Sequence, residues 1–419
     1  MAVQEATKTL WPTTATTTDN NATTATIWFH QPQMEVASCT PEEGVGAYER
    51  LETYGITPQR QVKIDTSYFK MPAAERDAKI FALKRQLGKR LTILGHHYQR
   101  DEVVQFADFQ GDSYKLSQMA AEQRDAEFTL FCGVHFMAES ADVLGGDNQK
   151  VILPNMEAGC SMADMAKPED VEAAWETLHS LGIDQIVPIT YMNSAASIKA
   201  FCGRNGGIVC TSSNAQRVYD WAFARGERIM FFPDEHLGRN TAIKKGIRND
   251  QMVVWDPFLP LGGNTEEQLQ NAKVILWKGY CSVHARFSVE QIRKAREEYP
   301  EVNILVHPEC RAEVVAESDY DGSTEYIVSM IRNAPSGSVW AVGTEINLVR
   351  RLQAQMPDKT IFCLDPVICP CSTMYRIHPA YMLWALEHLV AGEVVNQVIV
   401  DPEIKAAAKI ALDRMLAVP

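Results

Sequence analysis

The feature that most constrains this sequence is a recurring pattern: a short apolar run ends in polar residues, and a helical pattern follows. After residue 75 the apolar runs lie at 91–94, 186–189, 208–210, 229–232 and 304–306. Short continuous apolar runs are typical of strands buried on both faces, and intervening helices indicate parallel pairing. The sequence therefore predicts an α/β fold with parallel sheets.

Polar side chains capable of acid–base chemistry or binding follow these runs. In open α/β sheets, ligands bind outside the carboxyl ends of the strands. The acid–base candidates at strand ends or beside a candidate ligand are His96, Tyr98, His284, His307 and Glu309. One histidine in such a place is more often structural than catalytic, but the set favours an active site.

A cysteine repeat accompanies the strand pattern. The dipeptide Cys-Ser occurs at Cys160, Cys281 and Cys371, and helical patterns start near Pro168, Ser288 and Pro379, at offsets of 8, 7 and 8 residues. Three α/β units, each offering one cysteine from an equivalent loop, would converge on a common centre. The alternative is that these are ordinary buried cysteines.

The remaining cysteines give weaker signals. Cys132, Cys210 and Cys363 lie within apolar runs, which indicates inert core positions. Cys369 lies two residues before Cys371, and the residues alone do not decide which is a ligand, although the Cys-Ser register favours Cys371. No C-x-x-C pair occurs, which disfavours a structural zinc ribbon.

Three thiolates would suit either of two metal centres. A [4Fe–4S] cluster with three protein thiolates leaves one iron open, and an open iron acts as a Lewis acid suited to dehydration. Zinc held by three cysteines is the other possibility. The residues alone leave both open.

Hydroxyl side chains precede three predicted helices. Ser113, Ser212 and Thr324 occupy these positions, and helix N-termini with hydroxyls are ready-made phosphate sites. The alternative for each is an ordinary helix cap.

Charge and composition exclude several classes of protein. Forty Lys and Arg against 53 Asp and Glu give a net charge of −13, which argues against nucleic-acid binding. No run of 18 apolar residues indicates a membrane span, and no secretory signal is apparent. We therefore expect a cytoplasmic protein with reduced thiols, preceded by a disordered Thr/Asn-rich stretch within the first 26 residues.

From about residue 75 to 415, the sequence resembles the quinolinate synthases, the iron–sulfur enzymes of de novo NAD biosynthesis. The resemblance rests on ordered blocks that include GHHYQRDEV, GDSYKLS, MEAGCSMADM, TYMNSAASIKA, VCTSSNA, WKGYCSVHARF, LVHPEC, DGSTEYI and CPCSTMYRIHP. So many blocks in one order make chance agreement implausible.

The resemblance implies three homologous αβα domains in a pseudo-threefold trefoil around a central cavity. Each domain would give one cysteine to a single [4Fe–4S] cluster, and the matching positions are Cys160, Cys281 and Cys371. Cys371 is favoured over Cys369 by a Cys-x-x-Met pattern ending at Met374. The expected limits are an extension at 1–72 and domains at 73–165, 166–284 and 285–384, with 385–419 returning to the first domain.

The implied reaction condenses iminoaspartate with dihydroxyacetone phosphate to give quinolinate, phosphate and water. The resemblance assigns substrate, phosphate or carboxylate binding to His96, Ser113, Ser212 and Thr324. It assigns proton transfers to Tyr98 and Glu309. It places Tyr191 and Asn193 near the open iron, where they would position the substrate, and gives His284 and His307 further positions in the cavity. The alternatives are another [4Fe–4S] hydro-lyase acting on a hydroxy acid and a non-enzymatic iron–sulfur sensor.

Two further expectations concern partners and the shape of the chain. The enzyme that supplies iminoaspartate is a candidate partner, and we expect a monomer or a homodimer. The region 239–273 is longer than in the shortest family members, and its turns indicate a surface excursion that touches no motif.

Overall fold

The structure, a computed structural model, describes residues 61–123, 125–367 and 370–418. The Thr/Asn-rich stretch, Cys39 and Cys369 lie outside these residues. Within them the chain forms three sheets flanked by helices. No helix in these ranges has the length and apolar character needed to cross a membrane.

The first sheet has five strands in the order β14-β4-β3-β1-β2, parallel except for β14. Its strands are β1 (Leu91–His96), β2 (Phe109–Gly111), β3 (Phe128–Cys132), β4 (Lys150–Ile152) and β14 (Gln397–Val398). The helices of this part are α1 (Ser67–Lys70), α2 (Ala73–Leu87), α3 (Asp101–Val104), α4 (Ser113–Glu122) and α5 (His135–Leu144).

The second sheet has five parallel strands in the order β6-β5-β7-β9-β8. They are β5 (Ile186–Tyr191), β6 (Ile208–Cys210), β7 (Arg228–Phe232), β8 (Met252–Trp255) and β9 (Val274–Trp277). The accompanying helices are α6 (Pro168–Ser180), α7 (Ala196–Arg204), α8 (Ala215–Phe223), α9 (Glu235–Lys244) and α10 (Glu266–Asn271).

The third sheet has four parallel strands in the order β11-β10-β12-β13. They are β10 (Asn303–Val306), β11 (Tyr320–Asp321), β12 (Val339–Gly343) and β13 (Thr360–Cys363). Its helices are α11 (Val289–Glu298), α12 (Ala312–Glu317), α13 (Thr324–Asn333) and α14 (Ile346–Gln355).

All three sheets share the arrangement of their first three strands, with the first strand between the second and the third. In the first and third sheets the fourth strand follows the third, whereas in the second sheet β9 follows β7 and β8 forms the edge. Polar groups that leave the first and third strands therefore face the same crevice at the sheet edge. This confirms the predicted α/β class with three parallel sheets; the pseudo-threefold symmetry and the domain limits remain predictions.

The C-terminal part of the described chain crosses back over the first two sheets. Helix α15 (Pro379–Ala391) is buried along most of its length, and β14 pairs antiparallel with β4. Helix α16 (Pro402–Ala417) packs on α7 so closely that a Cβ added to Gly203 would lie 1.9 Å from the Ala407 carbonyl oxygen. These contacts join the first and second sheets into one core.

The prediction that region 239–273 is a surface excursion is wrong for part of that region. Strand β8 adds a parallel edge to the second sheet, and the Trp255 side chain is buried, with Gly262 packed against its ring. The run Met252–Trp255 is apolar, so burial in the sheet is favoured over exposure. The turn beyond β8 is a surface feature, with Phe258 86% exposed, and so is the segment 243–250 before it.

Candidate active site

All thirteen side chains proposed from the sequence line one cavity, with about 640 Å³ of empty space. They are His96, Tyr98, Ser113, Cys160, Tyr191, Asn193, Ser212, Cys281, His284, His307, Glu309, Thr324 and Cys371. The cavity is therefore built by elements from all three sheets, although the roles of these residues remain predictions.

The three cysteines occupy loops of one local design. In each loop the cysteine carbonyl accepts a hydrogen bond from the backbone N–H four residues later, at Asp164, Ala285 and Tyr375. A single 3₁₀ turn follows in each, and the next helix begins eight residues after the cysteine. Counted from the sequence, Ser288 lies seven residues after Cys281, but Ser288 is the N-cap and Val289 is the first helical residue, so the spacing is eight here as well.

Each first strand delivers two site residues. They are His96 and Tyr98 at the end of β1, Tyr191 and Asn193 at the end of β5, and His307 and Glu309 just after β10. In the first and third pairs the histidine Nδ1 accepts the backbone N–H two residues later, at 3.1 and 3.3 Å. Because a backbone N–H only donates, Nδ1 is unprotonated in both rings, which leaves Nε2 to carry the proton.

One hydroxyl side chain of the site follows the second strand of each sheet. Ser113 and Thr324 are the first residues of α4 and α13, and Ser212 lies just before α8. The Asp112 and Ser323 side chains cap α4 and α13, so the predicted cap function belongs to the preceding residues. The hydroxyls of Ser113 and Thr324 therefore remain available at helix N-termini that face the cavity.

Glu309 lies at the centre of a buried hydrogen-bond network. Its Oε1 accepts the Tyr191 hydroxyl at 2.6 Å, and its Oε2 is 2.9 Å from His284 Nδ1. Burial alone would raise the pKa of this carboxyl, but the nearby His284 and His307 and the donated hydrogen bonds lower it to about 2. Glu309 is therefore a carboxylate, and His284 Nδ1 carries the proton that it shares with Oε2.

Tyr98 and Tyr191 are held as protonated phenols. Burial, followed by the negative charge of Glu309, raises the pKa of each well above its ordinary value. The Tyr98 hydroxyl is 2.7 Å from Thr344 Oγ1 and 3.4 Å from His284 Nε2. Both phenols can therefore donate protons or hydrogen bonds near neutral pH.

His96 and His307 are neutral near neutral pH. Burial lowers the pKa of each to about 3, and a neighbouring histidine adds to the effect in both. The rings of His284 and His307 stack with centroids 4.5 Å apart. No Lys or Arg lines this cavity among the described residues, so anion binding here depends on hydroxyls, imidazoles and helix N-termini.

Sequence reasoning missed two residues of this network. Thr344 contacts Tyr98, and Glu345 Oε1 accepts the backbone N–H of the proposed ligand Cys371 at 3.2 Å. Both follow β12, the third strand of its sheet. The signal was a polar pair directly after an apolar run at 339–343.

The three thiols fit a multi-iron cluster better than a single ion. A tetrahedral zinc site with Zn–S bonds of 2.3 Å needs sulfur atoms about 3.8 Å apart. Within the described ranges, the one group of three candidate ligand atoms lying within 4.8 Å of each other is Cys281, His284 and Glu309. The three sulfur atoms line one cavity but do not form such a group, so they do not present the compact ligand set that one zinc ion needs.

The thiols also need a metal to become thiolates. Burial raises the pKa of Cys160 to about 12 and raises the pKa of Cys281 and Cys371. Metal binding displaces the thiol proton and supplies the missing positive charge. Cys132, Cys210 and Cys310 are buried outside this cavity, whereas Cys363 is half-buried.

Comparison with known families gives a match to the family described as quinolinate synthetase A protein, over residues 78–417. The chain is 57% identical to the quinolinate synthase of Corynebacterium glutamicum over 376 residues, covering 90% of this chain and 95% of that protein. It is 58% identical to the quinolinate synthase of a Nocardioides species over 346 residues, 81% of this chain and 88% of the relative. For the Geobacillus enzyme of the same name the identity is 56%, with coverage of 84% and 95%.

Proposed function

Because the chain belongs to the quinolinate synthase family and has quinolinate synthase activity, we propose that Cys160, Cys281 and Cys371 hold one [4Fe–4S] cluster in its cavity. The family consists of [4Fe–4S] enzymes of NAD biosynthesis. The observation that carries the assignment is that three cysteine loops of the same backbone design line one cavity. The family assignment also decides against the hydro-lyase and sensor alternatives.

The proposed substrates are iminoaspartate and dihydroxyacetone phosphate. Both are anions, and the cavity offers them hydroxyls at Ser113, Ser212 and Thr324 rather than cationic side chains. His96 adds a neutral imidazole at the end of β1, with its Nε2–H available to an acceptor. These donors support binding of the phosphate and the carboxylates.

The proton transfers are assigned to the network around Glu309. Isomerisation of the triose needs a base at one carbon and an acid at the carbonyl oxygen. Glu309 is the only carboxylate within this hydrogen-bonded group in the described residues, and it is ionised, so it serves as the base. Tyr98 and Tyr191 are protonated and serve as donors.

The cluster, when bound, supplies a Lewis-acidic iron that stabilises departing hydroxide. The chain's own residues position the substrate around it. Asn193 lines the cavity, and its Oδ1 is buried without a hydrogen-bond partner among the described residues. An unpaired buried acceptor of this kind suits a substrate hydroxyl or amine donor.

Anaerobic purification and turnover test the proposal. The expected product contains about four irons and four sulfides per chain and forms quinolinate only when both substrates are present. Replacing Cys160, Cys281 or Cys371 by alanine should abolish cluster retention. Colourless protein with one zinc per chain would refute the cluster assignment.

Two cysteine variants serve as matched controls. Cys369→Ala separates the two candidates in the Cys369-Pro370-Cys371 segment, and it should retain iron and activity. Cys310→Ala removes a thiol that is fully buried outside the cavity, so it should also retain iron. Loss of iron in Cys369→Ala with retention in Cys371→Ala would reverse the assignment of the third ligand.

A further inference from the structure

A second cavity, here called the outer groove, lies beside the central one between the second and third sheets. It has about 1000 Å³ of empty space, and its walls come from the start of α8, from α9 and from the loop that joins β11 to α13. Ser212 lines both cavities. The outer groove therefore adjoins the central cavity at a hydroxyl assigned to phosphate or carboxylate binding.

An unpartnered donor lies in the wall of the outer groove. Asn214 is the N-cap residue of α8, but its Oδ1 accepts the backbone N–H of Thr211 at 2.7 Å instead of capping the helix. That contact fixes the amide orientation, because a backbone N–H donates only to the oxygen. Asn214 is 1% exposed, and its Nδ2 has no acceptor among the described residues.

The first turn of α8 also lacks a side-chain cap. A nine-residue helix with an uncapped N-terminus presents backbone N–H groups and a partial positive charge. Together with the unpartnered amide of Asn214, it forms a set of donors without an acceptor. Such a set matches an anion with several oxygens, and phosphate is the common ligand of this kind.

The charged side chains of the outer groove favour an anion as well. Arg217 is exposed and has no hydrogen-bond or ion-pair partner in the described part of the chain. Lys244 pairs with Asp321 across the groove. Two cations and one carboxylate leave a net charge of +1 in a chain whose total is −13.

We propose that the outer groove binds phosphate, either as the inorganic ion or as the phosphate group of a small substrate. The proposal rests on the proposed function for its physiological ligand, since dihydroxyacetone phosphate brings in the group and the reaction releases it. Arg217 would pair with the phosphate oxygens in two hydrogen bonds, a geometry that the guanidinium favours. The groove would then hold phosphate on its way into or out of the central cavity.

Calorimetric titration of inorganic phosphate into the anaerobic holoenzyme tests the binding site. Arg217→Gln should weaken phosphate binding by at least about tenfold, because it removes a charged hydrogen-bonding partner. Asn214→Asp should weaken it by a similar factor, since an acceptor replaces the free donor. Arg217 lines the outer groove and is not among the residues that line the central cavity, so the Arg217 variant reports on the outer groove.

Arg293→Gln is the matched control. Arg293 is an exposed arginine on α11 that does not line the outer groove, and its loss changes the net charge by the same amount. The affinity of the Arg293→Gln variant for phosphate should stay within about twofold of that of the unmodified chain. Succinate, which carries two carboxylates and no phosphate, should bind Arg217→Gln as it binds the unmodified protein.

Kinetic measurements distinguish free phosphate from the phosphorylated substrate. If the groove captures the substrate, Arg217→Gln raises the KM for dihydroxyacetone phosphate relative to the KM for iminoaspartate. If the groove binds only the phosphate that the reaction releases, Arg217→Gln weakens product inhibition by phosphate and changes nothing else. Both outcomes support the site.

The proposal is overturned if Arg217→Gln binds phosphate as tightly as the unmodified chain, or if Arg293→Gln weakens binding equally. An equal loss of succinate binding would also overturn it, because the effect would then be a general response to charge. The calorimetric result does not require turnover, so a failure of the proposed function would be recognised separately.

Discussion

At the scale of single residues, Glu309 combines burial with an ionised carboxyl group. It is 2% exposed, and both oxygens are engaged by donors from other strands and loops. A buried carboxylate with two hydrogen bonds is pre-organised, since it needs no solvent rearrangement to accept a proton. As the proposed base, Glu309 is therefore fixed in position before the substrate binds.

Replacing Glu309 with Gln should abolish most turnover and leave the cluster in place. Gln has the same shape but lacks the charge and the basicity, so kcat should fall at least about 100-fold. Quinolinate formation and iron content per chain measure the two effects. Glu313→Gln, an exposed position on α12, is the control; unchanged activity in Glu309→Gln would remove Glu309 from the catalytic set.

His378 predicts a pH dependence of stability. Burial, followed by the charges of Arg100 and Arg76, lowers the pKa of this imidazole to about 3, and its Nδ1 accepts the Ala380 N–H. The unfolded chain has a histidine pKa of about 6.5, so below that pH it binds a proton that the folded chain does not. His378 alone should therefore lower the free energy of unfolding by about 1.4 kcal/mol for each pH unit between about 6.5 and about 3.

Asn is the matched replacement at His378, because it caps a helix and does not titrate. Urea unfolding at pH 7.5 and 5.5 should show a loss about 1.4 kcal/mol smaller in His378→Asn than in the unmodified chain. Equal losses in the two proteins would show that His378 is not neutral in the folded state.

At the scale of elements, Glu345 connects a helix to a proposed cluster ligand. It caps α14 through Asn347 N–H at 2.7 Å and also accepts the Cys371 N–H. Glu345→Ala should destabilise the chain by about 1–2 kcal/mol and should speed iron loss to a chelator. Glu345→Gln, which retains an acceptor oxygen, should lose iron more slowly than the alanine variant.

Ser288→Ala is the control for this prediction. Ser288 caps α11 in the same part of the molecule but is hydrogen-bonded to Gln291 and to no cysteine. It should lower the stability by a similar amount without changing the rate of iron loss. If both variants lose iron equally fast, the effect of Glu345 is a general loss of stability.

The strands and the site-bearing loops could be predicted because their signals are local. A buried parallel strand is a continuous apolar run, and the run at 208–210 coincides with β6. The helix predicted next to Thr324 is α13, which begins at that residue. Polar residues at strand ends meet because the first strand of each sheet lies between the second and the third, where the chain reverses its direction across the sheet.

The remaining features depend on contacts between distant segments. The pairing of β14 with β4 joins residues about 250 apart in the chain, and two residues carry too little pattern to reveal a strand. Thr344 and Glu345 can be recognised as residues of the site only from their contacts with Tyr98 and Cys371. The outer groove combines residues from two sheets, so no single motif indicates it.

At the scale of the whole molecule, the cavity depends on how the sheets are held together. Arg351 of α14 is 6% exposed and donates to the carbonyls of His97 and Gln99, just after β1. It also pairs with Asp101. This arginine fixes the segment that carries Tyr98 against the third sheet.

Arg351→Met should destabilise the chain by about 2–5 kcal/mol, because two buried carbonyls lose their donor. Turnover should fall as well, since Tyr98 is no longer fixed. Arg350→Met, an exposed neighbour on the same helix, should change the stability by less than about 0.5 kcal/mol. Thermal unfolding and quinolinate formation measure both variants; a loss no larger than that of Arg350→Met would contradict this account.

The return of β14 and α16 to the first two sheets has a consequence for synthesis on the ribosome. When residues up to the end of β13 and the loop of Cys371 have been translated, every residue of the cavity exists, but β4 still has an open edge and α7 lacks α16, the helix that packs on it most extensively. An unpaired edge and an uncovered apolar face favour association with other nascent chains. We therefore expect the cavity to become stable only after β14 and α16 have been translated and have packed on the first two sheets.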